Sequence, residues 1–503
     1  MNPLLLMGVV LGYFVLLLLV AWATSRHASN ETFFIGNKSS NWMLVAFGMV
    51  GTSLSGVTFI SVPGAVGHDG FAYFQLVLGN LIGFWVVAFV LLPLYYRHQL
   101  TSIYHYLGKR LGVSAYKTGA TFFIVSRTLG ATARLYLVVN ILQGIILDRL
   151  GVPFWLTSVV ILLMILLYTY EGGVKTIVWT DTLQTTCMLG GLVICAWFLL
   201  DRMNLGVTQS LVHMDAHGLS ALLVTDPNSK LFFVKQVVAG IFITVAMTGL
   251  DQEMMQKNIS VKTLADSQKN MVTLSVVFTA VVLLFLFLGG LLSLFTAQTG
   301  MPETGDKIFA AVVLGHLPQA VQIIFVIALI SALFPSADGA ITALTSSFCI
   351  DLLGLQQRSD WDEARKKRAR HQVHLGFAAL FLLLVMGFKW VDDPSMIGLI
   401  LKLAAYTYGP LLGLFAFGIL TQKRVRGAWV PWVCLGAPAL CFVLDSNQQR
   451  LFGSYQIGLE LLLLNGVLTF GGLWLASLNS LQPEPTQVPV RTNPPDACIS
   501  RRV

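Results

Sequence analysis

The sequence predicts an all-α polytopic membrane protein of about thirteen transmembrane helices, built on a five-plus-five inverted-repeat core. Three observations predict it. Composition comes first: 55% of the 503 residues are hydrophobic and 11% charged, with a mean hydropathy of +0.74, whereas a soluble domain carries about 25% charged residues. Apolar runs of about 20 residues, each long enough to cross a bilayer, follow one another along the chain. Two of those runs, five spans apart, carry polar and glycine-rich centres that a lipid-facing helix does not need.

The runs fall near residues 3–24, 42–66, 71–96, 118–147, 153–170, 176–201, 231–255, 271–298, 318–350, 372–389, 396–420, 428–444 and 455–479. The first lacks a basic n-region and a small-x-small cleavage site, so it reads as a retained helix and not as a signal peptide. The chain then divides into a first helix with its cytoplasmic loop (1–40), a first five-helix repeat (41–201) and an extracellular loop (202–230). A second five-helix repeat (231–420), two additional helices (421–480) and a polar, Pro-containing tail (481–503), expected to be disordered, complete it. Residues 306–315 are expected to form a short interfacial helix.

Basic residues set the orientation. With the N-terminus outside and sides alternating, inside loops and tail hold 22 of the 32 Lys and Arg, outside loops six (with Lys389, at the outer end of its span) and the spans four. This positive-inside bias places the C-terminus in the cytoplasm, and the net charge of +8 reflects topology and not nucleic-acid binding. Cys187, Cys195, Cys349, Cys434 and Cys441 sit in spans, with no cysteine in an outside loop where a disulfide would form. The sequons at Asn30, Asn37 and Asn258 all fall on the cytoplasmic side. Compact loops and a short tail fit the plasma membrane of a bacterium, the inner membrane.

Charged groups inside the membrane carry the functional signal, because one at the bilayer centre costs roughly 2.5–3.5 kcal/mol on insertion scales. In "SALFPSADGAITALTSS", Ser331, Pro335, Asp338, Thr342 and Thr345 share a stripe roughly 80° wide, beside small residues Ala332, Ser336, Gly339 and Ala343. Pro335 frees the Ser331 carbonyl from its helical partner. Carbonyls, hydroxyls and one carboxylate suit a small hard cation; the alternative is that Asp338 pairs with a buried base. The spans hold Arg127, Arg134, Lys235 and Lys402. Arg127 and Arg134, seven residues apart, share one helical face, and either could neutralise a carboxylate or hold a solute carboxylate in a fork. Lys235 is expected to snorkel and Lys402 to be structural. Asp181 opens "TDTLQTT" after an expected tight turn in "YEGGVKTIVW", and solvation there is the plain alternative to a role. Span two, with "GMVGTSLSGVTFISVPG", and span seven, with "AGIFITVAMTGLDQ", read as interrupted helices of a transporter with a midplane site; small residues that merely permit close packing are the alternative.

Four stretches, in this order, resemble the sodium:solute symporter family, which includes sodium-coupled proline, glucose, iodide and sialic acid transporters. They are "SLSGVTFISVPG", "YEGGVKTIVWTDTLQ", "TGLDQEMMQKN" and the span-nine segment running to "SSFCIDLL". The resemblance covers spans one to eleven and implies the inverted-repeat fold also seen in bacterial leucine transporters. It implies a sodium site at Gly51 and Leu54, then Ala332, Pro335 and Ser336. Members commonly have Ser at Pro335, so Ser336 alone supplies a hydroxyl. A second sodium site, described in sialic acid transporters, maps onto Asp181, with Asp338 and Gly339 at two of its hydroxyl positions. The resemblance to those transporters places Ser53, Ser55, Thr58, Phe71 and Gln75 at the solute. It also implies an Arg for the solute carboxylate, for which Arg134 comes first and Arg127 second, since the matching position itself is Gly130.

The expected function is therefore secondary active import of a small organic solute, a small carboxylate or acidic sugar, coupled to sodium ions by alternating access. Two carboxylates close together need a cation or a shared proton, which keeps a proton-coupled variant open, as is a transporter-like sensor. An enzyme is not expected, because nearly all nine His lie in loops or at span ends. Na+ is the implied cofactor, the solute and the lipid bilayer are the partners, and the protein is expected to be a monomer or weak homodimer.

Overall fold

Backbone hydrogen bonds cannot be made to water inside a bilayer, so an apolar chain of this length satisfies them internally as helices. A computed structural model describes residues 3–24, 40–100, 102–302, 304–390 and 396–478. The sequons at Asn30 and Asn37 and the tail 481–503 lie outside these residues.

The helices, in chain order, are α1 (Pro3–Thr24), α2 (Trp42–Ser53), α3 (Gly56–Asp69), α4 (Tyr73–Arg97), α5 (Val113–Leu142), α6 (Phe154–Arg202), α7 (Phe233–Gly249) and α8 (Gln252–Ile259). They continue as α9 (Leu264–Thr299), α10 (Ile308–His316), α11 (Gln319–Leu352), α12 (Glu363–Phe388), α13 (Met396–Leu420), α14 (Trp429–Ser446) and α15 (Leu461–Leu478). Ten stretches among the described residues are long and apolar enough to cross a membrane, and two further pairs are broken spans. Phe154–Thr169, the fifth expected span, is a shorter apolar helix. The count of thirteen is thus approximate. The tight turn expected before Thr176 is absent: helical backbone runs unbroken from Phe154 to Arg202. A short helix is present where one was expected at 306–315, as α10.

The breaks decide the architecture. α2 and α3 meet at 55°, with Leu54 and Ser55 out of helical geometry. Five spans later α7 and α8 meet at 64°. The last turn of α7, Val245–Gly249, widens to π-type hydrogen bonding, a form of helix common at functional sites. Asp251 then restarts the helix as the N-cap of α8, its Oδ1 accepting from the Glu253 and Met254 amides at 2.9 and 3.3 Å.

Around the breaks, α6 packs on α11, α2 and α1, while α7 packs on α4 and α13 on α5 and α15. Glycine sets the closest approaches. A Cβ on Gly79 of α4 would lie 2.1 Å from the Val237 carbonyl oxygen, and one on Gly240 of α7 would lie 2.2 Å from that of Leu76. α11 is the most enclosed of the long spans, buried at every position from Ala328 to Ser347. Outward-facing Trp22, Trp197, Trp432, Leu383 and Leu475 stay exposed, as lipid-facing side chains do in a protein whose solvent is partly hydrocarbon.

Candidate functional site

A cavity of about 120 Å3 opens beside the first break, lined by Thr52, Ser53, Ser55 and Thr58 from α2 and α3. Tyr73, Leu76, Asn80 and Phe84 of α4 face it, as do Thr244, Met247 and Thr248 of α7, Met254 of α8 and Ile397, Ile400 and Leu401 of α13. Arg127 and Arg134 of α5 complete the wall. Both broken helices thus contribute, as a midplane site between two repeats requires.

Three sequence-derived solute positions, Ser53, Ser55 and Thr58, lie in this lining together with both arginines. Phe71 and Gln75 lie elsewhere. The Gln75 amide donates to the carbonyls of Ala72 and Leu231 at 3.0 and 3.2 Å and accepts from the Val224 amide at 3.1 Å. The Phe71 amide donates to the Ala221 carbonyl at 2.9 Å. These contacts tie α4 to the segment between α6 and α7, and the residues between and after them in α4 line the cavity instead.

The two arginines differ. Arg127 forms a buried ion pair with Glu253 and lies 3.8 Å from Asp251. Arg134 has no hydrogen bond or ion pair with any described residue while facing the cavity. Asp251 is further held by the Tyr408 hydroxyl of α13 at 2.7 Å.

The two carboxylates singled out by the sequence also differ. Asp181 is fully buried, and its Oδ2 accepts from Lys257 Nζ at 2.7 Å and from Thr52 Oγ1 at 3.2 Å. Asp338 is fully buried, its Oδ2 accepting from the Tyr168 hydroxyl at 2.8 Å and its Oδ1 from the Gly339 amide. No basic side chain among the described residues lies within 4 Å of it. Gly339 leaves room for Glu253, whose Oε1 would lie 2.2 Å from a Cβ at that position.

The expected first sodium positions come from the broken helix and from α11. Gly51 packs on α6, where a Cβ would lie 2.1 Å from Thr185 Oγ1. Leu54 is the last residue before the break. Gly56, just past it, faces Ala332, with the Ala332 carbonyl oxygen 3.7 Å from where a Cβ would stand. Ser336 Oγ is buried without a hydrogen-bond partner in the structure, as are Ser53 Oγ and Thr342 Oγ1.

The sequence reading missed a charged cluster. Asp251 and Glu253 fall at the end of span seven (231–255) and Lys257 just beyond it, yet all are buried. The signal was the spacing itself: Glu253 and Lys257 stand four residues apart in "TGLDQEMMQKN", on one helical face. The Lys235 ammonium reaches residues outside the spans, donating to the Ser229 and Gln456 carbonyls and lying 3.8 Å from Glu460 and 3.5 Å from the Tyr455 ring centroid. Lys402 pairs with Asp445 at 2.8 Å, the structural role expected. Asn258 is buried and bonded to Met254 and Asn270, so its sequon is inaccessible.

A model of the sodium:solute symporter family matches residues 33–431, most of the chain. The chain belongs to that family. Within it, the chain is 28% identical over 265 residues to the human sodium/iodide cotransporter, covering 50% of this chain and 40% of that protein. It is 20% identical over 492 residues to the sodium/sialic acid symporter of Proteus mirabilis, covering 92% and 94%. Mouse sodium-coupled monocarboxylate transporter 1 is 25% identical over 427 residues, 80% of this chain and 66% of that one. Among solved structures, a Na+-coupled sialic acid symporter in a substrate-bound outward-open state superposes with a TM-score of 0.79 at 16% identity, covering 94% of this chain and 97% of that one. A nucleobase-cation-symport-1 family transporter gives 0.57 at 12% identity, covering 90% and 95%. Both likenesses concern the fold. The two broken helices identified above are therefore the half-helices of a sodium:solute symporter.

Proposed function

We propose that this symporter imports a small organic solute bearing a carboxylate, a small carboxylic acid or an acidic sugar, in company with sodium. One observation carries the solute class: Arg134 faces the cavity with no protein anion, while Arg127 on the same face is consumed by Glu253 and Asp251. A guanidinium in a cavity lined by both apolar and hydroxyl side chains presents a planar fork that a carboxylate matches in two parallel hydrogen bonds. Relatives named for sialic acid and for monocarboxylates support the same chemistry. Ser53, Ser55 and Thr58 supply hydroxyls for the rest of the solute.

Sodium binds where the first broken helix meets α11, using carbonyls of Gly51, Leu54 and Ala332 and the hydroxyl of Ser336. The buried and unpartnered Ser336 Oγ supports this, because a dehydrated cation needs such oxygens. Coupling follows from linkage: an ion that orders the break strengthens solute binding, and the solute strengthens ion binding by the same factor. The protein works in the plasma membrane, the inner membrane of a bacterium, with its N-terminus outside and C-terminus inside, as a monomer or weak homodimer.

A second reading, proton coupling, has its own observation. Asp338 is a buried carboxylate with no basic partner within 4 Å, so its charge calls for a cation or a proton. Uptake of radiolabelled carboxylates into proteoliposomes decides between them. Accumulation that follows an imposed sodium gradient supports sodium symport, whereas equal accumulation under a pH gradient alone moves the coupling to protons.

A further inference from the structure

Asp181 and Asp338 are both buried, yet only Asp181 has an ammonium beside it; a role for that ammonium presupposes the sodium symport proposed above. We propose that the Lys257 ammonium is a built-in cation that replaces a sodium ion at Asp181, making this carboxylate an ion-pair partner and not a sodium ligand.

The ammonium makes two hydrogen bonds and one further ion-pair contact. Lys257 Nζ lies 2.7 Å from Asp181 Oδ2, 2.7 Å from Thr52 Oγ1 and 3.5 Å from Glu253 Oε1. An ammonium has three donors around one point charge; here two are taken by oxygens of α2 and α6, and a carboxylate oxygen of α8 stands within ion-pair range. Those helices are α2 and α8, the two half-helices that flank the breaks, and α6. The position is thus a cation site in composition: two carboxylates and a hydroxyl around a buried positive centre.

The two α11 positions that match the second sodium site, Asp338 and Gly339, offer it no free hydroxyl. Asp338 gives Oδ2 to Tyr168 and Oδ1 to the Gly339 amide. Gly339 has no side chain, and the volume a serine would use there is held by Glu253, whose Oε1 and Cδ lie 2.2 and 2.8 Å from a built Cβ. Glu253 in turn stands four residues before Lys257 and contacts it. Glycine at 339, glutamate at 253 and lysine at 257 form one arrangement: the carboxylate enters the space left by the missing side chain and helps to hold the ammonium. A sodium ion at the remaining oxygen of Asp181 would stand next to that ammonium, and two like charges beside one carboxylate repel across a low-dielectric interior.

The arrangement has a consequence for coupling. A cation covalently attached to α8 never leaves, so the contact between α2, α6 and α8 is made in every state the helix geometry allows, without an ion drawn from solution. Asp338, with no such ammonium, is left as the carboxylate whose occupancy can vary through the cycle.

The test uses the purified full-length protein with 22Na+ binding and sodium-dependent thermal stabilisation, comparing three chains. The double variant Asp181→Asn with Lys257→Gln removes both charges together and keeps similar shapes. It is expected to bind as many sodium ions per protein as the parent, with half-saturation within about twofold. Lys257→Ala vacates the ammonium position and leaves Asp181 unpaired. It is expected either to bind one sodium ion more than the parent or to be stabilised by methylammonium, which leaves the parent's midpoint unmoved. Loss of one sodium ion in the double variant would overturn the proposal, and so would a Lys257→Ala chain that gains neither ion. If Lys257→Ala does not fold, the double variant decides alone. A parent that binds no sodium in either measurement would overturn the symport reading itself, and this proposal with it.

Discussion

Arg127 and Arg134 share one face of α5, and only Arg127 is held by carboxylates, Glu253 and Asp251. The same residue type seven positions apart therefore has two roles. Removing the first leaves a buried anion uncompensated; removing the second leaves the protein's own pairs intact.

Arg127→Gln is expected to cost about 3–5 kcal/mol, the usual penalty for breaking a buried pair from one side. It should appear as a large drop in unfolding midpoint in detergent, in any salt. Arg134→Gln is expected to keep the parent midpoint within a few degrees and to abolish carboxylate uptake. Lysine at 134 should restore little, because a point charge cannot reproduce a bidentate fork. Full uptake by Arg134→Gln would show that the solute is held elsewhere in the cavity.

The crossing of α4 and α7 offers a cleaner structural test. Gly79 and Gly240 lie against each other's backbones, and a methyl on Gly79 would meet the Val237 oxygen at 2.1 Å. Backbone cannot swing aside as a flexible side chain can, so the helices must part. Gly79→Ala is expected to destabilise by about 1–3 kcal/mol. Gly190→Ala on α6, where no atom lies within 4 Å of the built Cβ, should be neutral or slightly stabilising. The comparison of the two midpoints checks the crossing without reference to transport.

The sequence made the spans legible because length and apolarity report directly on the solvent. It made the two breaks legible because Gly, Ser and Thr at mid-depth have no use in a lipid-facing helix. Asp181 and Asp338 stood out for the same reason. Their partners did not. Lys257 sits beyond the second break, where a count of apolar residues has already ended the span, although "MMQKNI" continues inward as α8. Gln75 misled because a resemblance carries position and not hydrogen-bond partners; its amide is spent on the loop around Val224 and Leu231. The continuous backbone across "YEGGVKT" was hidden by two adjacent glycines, which punctuate a chain on average but are tolerated within helices in membranes.

Asp338→Asn separates charge from hydrogen bonding at the unpaired carboxylate. Asparagine keeps an oxygen for the Tyr168 hydroxyl, gives up the acceptor for the Gly339 amide and removes the negative charge. A cation that binds only the folded protein stabilises it by about 2.7 kcal/mol at a hundredfold excess over its dissociation constant, and so raises the midpoint. The parent is expected to show more stability in NaCl than in KCl at equal ionic strength, and Asp338→Asn to lose that difference. Persistence of the full sodium shift in the variant would remove Asp338 from the ion path.

Acid sensitivity should come in part from His105, which lies outside the spans on the short helix His105–Leu111. Its ring stacks on Tyr116, centroids 4.9 Å apart, with Nε2 3.1 Å from the Tyr116 hydroxyl. That hydroxyl donates its proton to Asp351 Oδ1 at 2.9 Å, so Nε2 must be the donor to the tyrosine oxygen, as in the neutral imidazole protonated at Nε2. Burial pushes the His105 pKa down from 6.5 to about 4, and the nearby Lys109 and Lys117 push the same way. The folded state therefore disfavours the charged ring. Below pH 6.5 the unfolded chain takes up a proton that the folded chain refuses until about pH 4, so stability from this group is complete above 6.5 and falls as pH drops through that window. His105→Gln keeps an N–H donor for Tyr116 without a titrating ring. Its midpoint should decline less between pH 6.5 and 4 than the parent's; parallel declines would mean that another group sets the acid limit.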